Sequence, residues 1–177
     1  MSLRVAVQMD PIETINIKGD SSFALMLAAQ ERGHALFEYH VGSLTLDADD
    51  RLWAQASPVK VRPVRGDHFE KGEAQRLDLG RDIDVVLMRQ DPPFHMGYIT
   101  ATHLLERIRS ETLVVNDPVN VRNSPEKVMV LNYRRFMPPT LVTRSVDEVR
   151  RFMDEHGAVV VKPIHGNGGK AIFRVPE

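Results

Sequence analysis

Ala158-Val-Val-Val-Lys-Pro-Ile-His-Gly-Asn-Gly-Gly-Lys-Ala-Ile-Phe-Arg-Val175 consists of two β-type runs joined by a glycine-rich loop. Val159 to Val161 predict a buried strand, with Lys162 placing a positive charge at its exit and Pro163 fixing φ and ending the ladder. Gly166, Gly168 and Gly169 let the chain turn with φ > 0 and bring bare backbone N–H groups close to an anion, before Ala171 to Val175 returns as a strand. A tight hairpin explains the glycines by themselves. A charge directly after three valines adds nothing to a hairpin, yet it is what a polyphosphate site needs. Because the lysine precedes the glycines and no Gly-Lys-Ser/Thr follows them, this is not a Walker A loop.

Moving upstream, Ser145-Val-Asp-Glu148 matches a capping box for a helix that ends at Gly157 and buries Val146, Val149, Phe152 and Met153. Thr140 to Thr143 predict a strand. Asp117-Pro118 and Ser124-Pro125 each put a capping residue before a proline, which predicts two helix starts, the second running from Glu126 to about Tyr133. Thr112 to Asn116 reads as a strand and Gly97 to Ser110 as a helix. Asp84 to Arg89 is the continuous apolar run of a strand covered on both faces. Between Gly42 and Leu79, short β-type segments broken by Asp47, Pro58, Gly66 and Gly72 predict a meander on the sheet edge, with Trp53 as a packing residue. Leu3 to Met9 and His34 to Val41 are strands, and between them a helix begins with Ser21 or Ser22 as its cap and stops at Gly33. Strands alternating with helices predict an α/β domain.

With 177 residues, 42% hydrophobic and 27% charged, the composition is that of a globular protein, and a net charge of −1 argues against a general nucleic-acid binder. Without cysteine there is no disulfide, thiolate nucleophile or cysteine-held metal. The seven histidines show no metal-binding spacing, and no Gly-x-Ser-x-Gly elbow supports a serine triad. The first ten residues lack the features of a signal peptide and no run is long enough to span a membrane, so a cytoplasmic location is expected.

Ligands of an open α/β sheet bind beyond the carboxyl ends of its strands, where Asp10-Pro11 and Arg89 to Phe94 both fall. Asp10, Asn16, Asp20, Ser21 and Ser22 either serve turn and cap chemistry or line a site. Arg89, followed by Asp91 and two stiffening prolines, suits a bidentate carboxylate contact. Lys127 is either a solvated helix lysine or a cation placed where a helix start favours phosphate.

Met9-Asp-Pro-Ile12 with Ile15-Asn-Ile-Lys18 and Asp20-Ser-Ser-Phe23, Leu87-Met-Arg89 with Asp91-Pro-Pro-Phe94, Glu126-Lys127, Thr140-Leu-Val-Thr-Arg144, Lys162-Pro with Gly166 to Gly169, and Ile172-Phe-Arg-Val175 follow one another along the chain. In this order they resemble the prokaryotic glutathione synthetases, an ATP-grasp ligase family. The resemblance implies an α/β fold with a Rossmann-like pre-ATP-grasp domain over residues 1–123 and the beginning of an ATP-grasp domain over residues 124–177. It implies ATP contacts at Lys127, Lys162, Gly166, Asn167, Gly168 and Gly169, and a first-domain surface facing the peptide substrate, to which Asp10, Asn16, Ser21, Ser22, Arg89 and Asp91 are assigned. No catalytic side chain is singled out.

The implied reaction joins glycine to γ-glutamylcysteine through an acyl phosphate, with Mg²⁺ assisting. Its metal ligands are expected downstream of Glu177, because family members are nearly twice as long, and the 177 residues alone are expected to be inactive. The resemblance also implies a homo-oligomer for the full-length protein, small-molecule substrates, and no nucleic-acid or membrane partner. His165 and Asn167 depart from the family's usual loop residues. Two alternatives stand beside this reading: another ATP-grasp carboxylate–amine ligase, and a non-catalytic nucleotide- or peptide-binding module.

Overall fold

The structure, a computed structural model, describes residues 1–166 and 168–176. These fall into two compact units, one of residues 1–91 with 95–123 and one of residues 92–94 with the chain from Ser124 onward.

In the first unit, β1 (Arg4–Gln8) leads into α1 (Ser21–Glu31) and β2 (Ala35–Tyr39). A meander follows, made of β3 (Thr45–Leu46), β4 (Leu52–Val61), β5 (Phe69–Lys71) and β6 (Gln75–Asp78). The chain then returns to the sheet centre through β7 (Val85–Met88), α2 (Met96–Glu106), β8 (Leu113–Val115) and α3 (Pro118–Asn123). The strand order is β3-β4-β2-β1-β7-β8, with β1 parallel to both β2 and β7, β7 parallel to β8, and β4 antiparallel to β2. Val5 and Val7 pack with Phe23 and Met26 of α1 on one face, while Ala6, Val86 and Met88 pack with Leu105 of α2 on the other. Helices on both faces leave four successive residues of β1 buried. The strand order turns back at β1, so the crevice between the carboxyl ends of β1 and β7 is a topological switch point.

The meander differs from expectation at Pro58, which lies inside one long β4 rather than ending a strand. Pro58 pairs with Phe37, and its carbonyl faces the other way to accept the Gly72 N–H at 2.9 Å. Its nitrogen therefore points into the gap between β5 and β6, where no ladder bond needs a donor. Helix α1 is capped by Asp20, whose Oδ1 accepts the Phe23 N–H at 2.7 Å, and not by Ser21 or Ser22. Trp53 packs half-buried, with Arg76 3.7 Å above its ring and its Nε1 donating to Asp47.

The second unit holds α4 (Glu126–Met129), a 3-10 stretch over Val130–Phe136, α5 (Val146–His156), and a hairpin of β9 (Val159–Val161) and β10 (Phe173–Val175). Three expectations fail here. The helix predicted to reach Tyr133 stops after one turn, and Ser124 does not cap it. Thr140 to Thr143 form no strand, because β9 and β10 pair only with each other among the described residues. No described residue of this unit is buried: Val146 is 64% exposed and Val161 41%, so neither α5 nor β9 has the covered face its pattern predicts. The Ser145 cap does form, with Oγ accepting the Glu148 N–H at 3.4 Å.

Candidate functional site

The switch point gathers most of the residues assigned to the peptide side. Arg89 follows β7 directly and is held from two directions. Its backbone N–H donates to the Gln8 carbonyl at 2.8 Å, which continues the β1–β7 ladder by one residue. Its guanidinium reaches the first turn of α1, with Nε 3.1 Å from Ser22 Oγ and Nη2 2.5 Å from Ser21 Oγ. Both serines accept from arginine; Ser22 is buried, while the exposed Ser21 keeps its hydroxyl proton available to an anion. The start of α1 adds its free backbone N–H groups and the positive end of its dipole. Next to this, the Asp91 N–H donates to Asp10 Oδ2 at 2.8 Å, which ties the two loops together.

Asn16 does not join the cluster. It is exposed, and its Oδ1 accepts the Lys18 N–H at 3.3 Å in a local turn. The loop around it is anchored underneath by residues that sequence reasoning passed over. His68 Nε2 lies 2.8 Å from the Ile12 carbonyl, and since a carbonyl can only accept, that ring nitrogen carries the proton. Lys71 pairs with Glu13 at 3.2 Å and with the buried Glu38. A backbone hydrogen bond, joined by the bond and charge of Lys71, holds the Glu13 carboxyl below the ordinary range. Burial alone would push the Lys71 ammonium down, but hydrogen bonds and charge from Glu38 and then Glu13 reverse this and leave its pKa raised.

Tyr98 of α2 is a further missed neighbour. Burial pushes its hydroxyl pKa up, and the fields of Arg89 and Asp91 both act on it. Gln8 and Gln90 were also overlooked. The signal for Gln8 was a polar residue ending the buried run Val5-Ala-Val-Gln8.

In the second unit, Lys127 Nζ donates to the Gly166 carbonyl at 2.6 Å, so this lysine braces the glycine loop. The one-turn α4 is too short to offer the helix-start field expected at Lys127. Lys162 is exposed and makes no hydrogen bond or ion pair among the described residues. Gly168 and Gly169 have φ of 60° and 72°, and among the described loop residues Ala171 at 55°, rather than Gly166, is also left-handed. Gly166 is instead constrained by space, since a Cβ there would lie 3.2 Å from the Pro163 ring. Asn167 lies outside the described residues. A shallow depression lined by Leu131, Arg134, Met137 and Pro139 includes none of the expected nucleotide residues.

Two family models match the chain. The one described as prokaryotic glutathione synthetase, N-terminal domain, covers residues 3–122, and the one described as prokaryotic glutathione synthetase, ATP-grasp domain, covers residues 126–177. The chain belongs to the prokaryotic glutathione synthetase family. It is 57% identical over 175 residues to the glutathione synthetase of Rhodopseudomonas palustris, an alignment covering 99% of this chain and 55% of that protein. The glutathione synthetase of Bradyrhizobium diazoefficiens is also 57% identical over 175 residues, with the same coverage. That of Yersinia pestis is 42% identical over 176 residues, 99% of this chain and 54% of that protein. The chain thus spans about half the length of these family members.

Proposed function

We propose that the gene product joins glycine to γ-glutamylcysteine with ATP, residues 1–123 forming the peptide-side domain and residues 124–177 the start of the ATP-grasp domain. The single observation that carries this reading is the Arg89 guanidinium braced by Ser21 and Ser22 at the switch point, a cationic, hydrogen-bonding receptor for a substrate carboxylate. Family membership and the relatives' names support it.

A carboxylate oxygen of the dipeptide's C-terminus attacks the γ-phosphorus of ATP, and ADP leaves. The glycine amine then attacks the acyl carbon, forming the amide bond as phosphate departs and the amine loses its proton. In this scheme Arg89, Ser21, Ser22, Asp10 and Asp91 bind and orient the peptide, with Asn16 on the adjoining loop. Lys162 supplies charge to the polyphosphate, Lys127 holds the loop, and backbone N–H groups around Gly166, Gly168 and Gly169 cover the phosphates, with Asn167 at the loop centre. Positioning and charge neutralisation carry such a transfer. Among the described residues no group of three or more His, Asp or Glu could hold a metal, so no Mg²⁺ ligand and no step through the ion is assigned to this stretch.

The same reading takes the protein to be cytoplasmic and homo-oligomeric, with no nucleic-acid or membrane partner. Among the described residues no helix is long and apolar enough to cross a membrane. Incubating the whole gene product with ATP, Mg²⁺, γ-glutamylcysteine and glycine tests the function. Glutathione should form only when all three substrates are present. ATP turnover that ignores glycine or the dipeptide would contradict the proposal.

A further inference from the structure

Gln8 ends β1 with 0% of its surface exposed, in register with Tyr39 on one side and Met88 on the other. In-register neighbours of a parallel sheet share a face, and Tyr39 and Met88 belong to the apolar layer beneath α2. The Gln8 amide therefore enters a layer where leucine or methionine would fill the space without a desolvation cost. What it holds is the segment after β7. Its Nε2 donates to Gln90 Oε1, and its backbone carbonyl accepts the Arg89 N–H at 2.8 Å. Gln90 stands between Arg89, which grips the α1 serines, and Asp91, which is tied to Asp10.

A second observation lies on the other side of the amide. Gln8 Oε1 and the Tyr39 hydroxyl, on a side chain 1% exposed, are both buried with no hydrogen-bond partner among the described residues. The two atoms do not bond to each other, so the bond to Gln90 is the only hydrogen bond of the Gln8 side chain among the described residues.

We propose that Gln8 is a positioning residue for the Arg89–Asp91 segment: its amide fixes Gln90 to the sheet edge and so sets the arginine. The proposal rests on the reading of this crevice as the peptide site, and its test uses one readout that depends on that reading and one that does not.

In the whole gene product, Gln8→Met preserves volume and removes the amide. Calorimetric titration with γ-glutamylcysteine should show the dissociation constant rising about tenfold, with ATP affinity unchanged, from loss of one buried hydrogen bond. Gln90→Met should match this, and the double variant should be no worse than either single one, because both remove the same link. Independently, hydrogen exchange at the Asp91 amide should speed up at least tenfold in Gln8→Met, while the Val86 amide deep in β7 is unaffected. Unchanged Asp91 exchange in Gln8→Met overturns the proposal, as do effects of Gln8→Met and Gln90→Met that simply add. If the wild-type protein binds no dipeptide but the exchange result holds, the peptide reading fails and the positioning role stands. Equal thermal stability of wild type and Gln8→Met, or a gain for the variant, is the expected control.

Discussion

Arg89 differs from an ordinary surface arginine in that one edge of its guanidinium is already engaged before any ligand arrives, by hydroxyls 3.1 and 2.5 Å away. Lysine keeps the charge and loses the planar fork that spans two serines. Arg89→Lys is therefore expected to raise the KM for γ-glutamylcysteine tenfold or more, about the worth of one charge-assisted hydrogen bond, and to leave the KM for ATP near its wild-type value. Steady-state kinetics with each substrate varied in turn checks this. Lys71 offers a structural contrast. Lys71→Met strands the Glu38 carboxylate, whose side chain is 6% exposed, and should destabilise the first unit by about 2–3 kcal/mol in denaturant titration, with Glu38→Gln restoring part of the loss.

The pH dependence of the Glu13–Lys71 pair follows from the directions of its two shifts. Stability from Glu13, whose folded pKa is lowered, is present above the ordinary glutamate pKa and fades as pH falls through the lowered value. Stability from Lys71, whose folded pKa is raised, is present below the ordinary lysine pKa and fades as pH rises through the raised value. Glu13→Gln should accordingly lose less melting temperature than wild type between neutral and acid pH, as read by calorimetry.

At the scale of elements, the crossing of Gly72 over Pro58 closes the gap that lets proline sit within β4. A Cβ on Gly72 would fall 2.8 Å from Pro58 Cγ, a ring that pairing with Phe37 keeps in place. Gly72→Ala should cost about 1–3 kcal/mol by chemical unfolding, the range of an overpacked site. Periodicity in the sequence revealed β1, β2, β7, α1 and α2, because these elements lie against a core that enforces their pattern. The ends of β4 were hidden, since a proline breaks a strand only where its missing N–H is needed, and pairing partners cannot be read from one strand. Thr140 to Thr143 misled for a related reason: strand-like residues form a strand only beside a partner. Of the candidate crevice residues, Arg89, Asp10 and Asp91 are legible as polar punctuation after strand ends, and Ser21 and Ser22 as polar residues at a helix start. Gln8 is not, as its partner Gln90 lies 82 residues further along the chain.

At the scale of the whole molecule, all buried residues among those described belong to the first unit, and the second exposes the apolar faces of α5 and its hairpin. In the 177-residue chain, amides of β1 and β7 should resist hydrogen exchange far longer than those of α5 and β9, because protection follows the burial that must be undone. Equal protection in both units, measured by mass spectrometry, would contradict this assignment of the core. On the proposed reading, the switch-point crevice presents a dipeptide carboxylate for phosphorylation, and the product is an amide. The most direct test of this reading supplies the whole gene product with γ-glutamylcysteine carrying ¹⁸O in the C-terminal carboxylate, together with ATP, Mg²⁺ and glycine. An acyl-phosphate route transfers one ¹⁸O from that carboxylate into each inorganic phosphate released with glutathione. Phosphate that carries no ¹⁸O would contradict it.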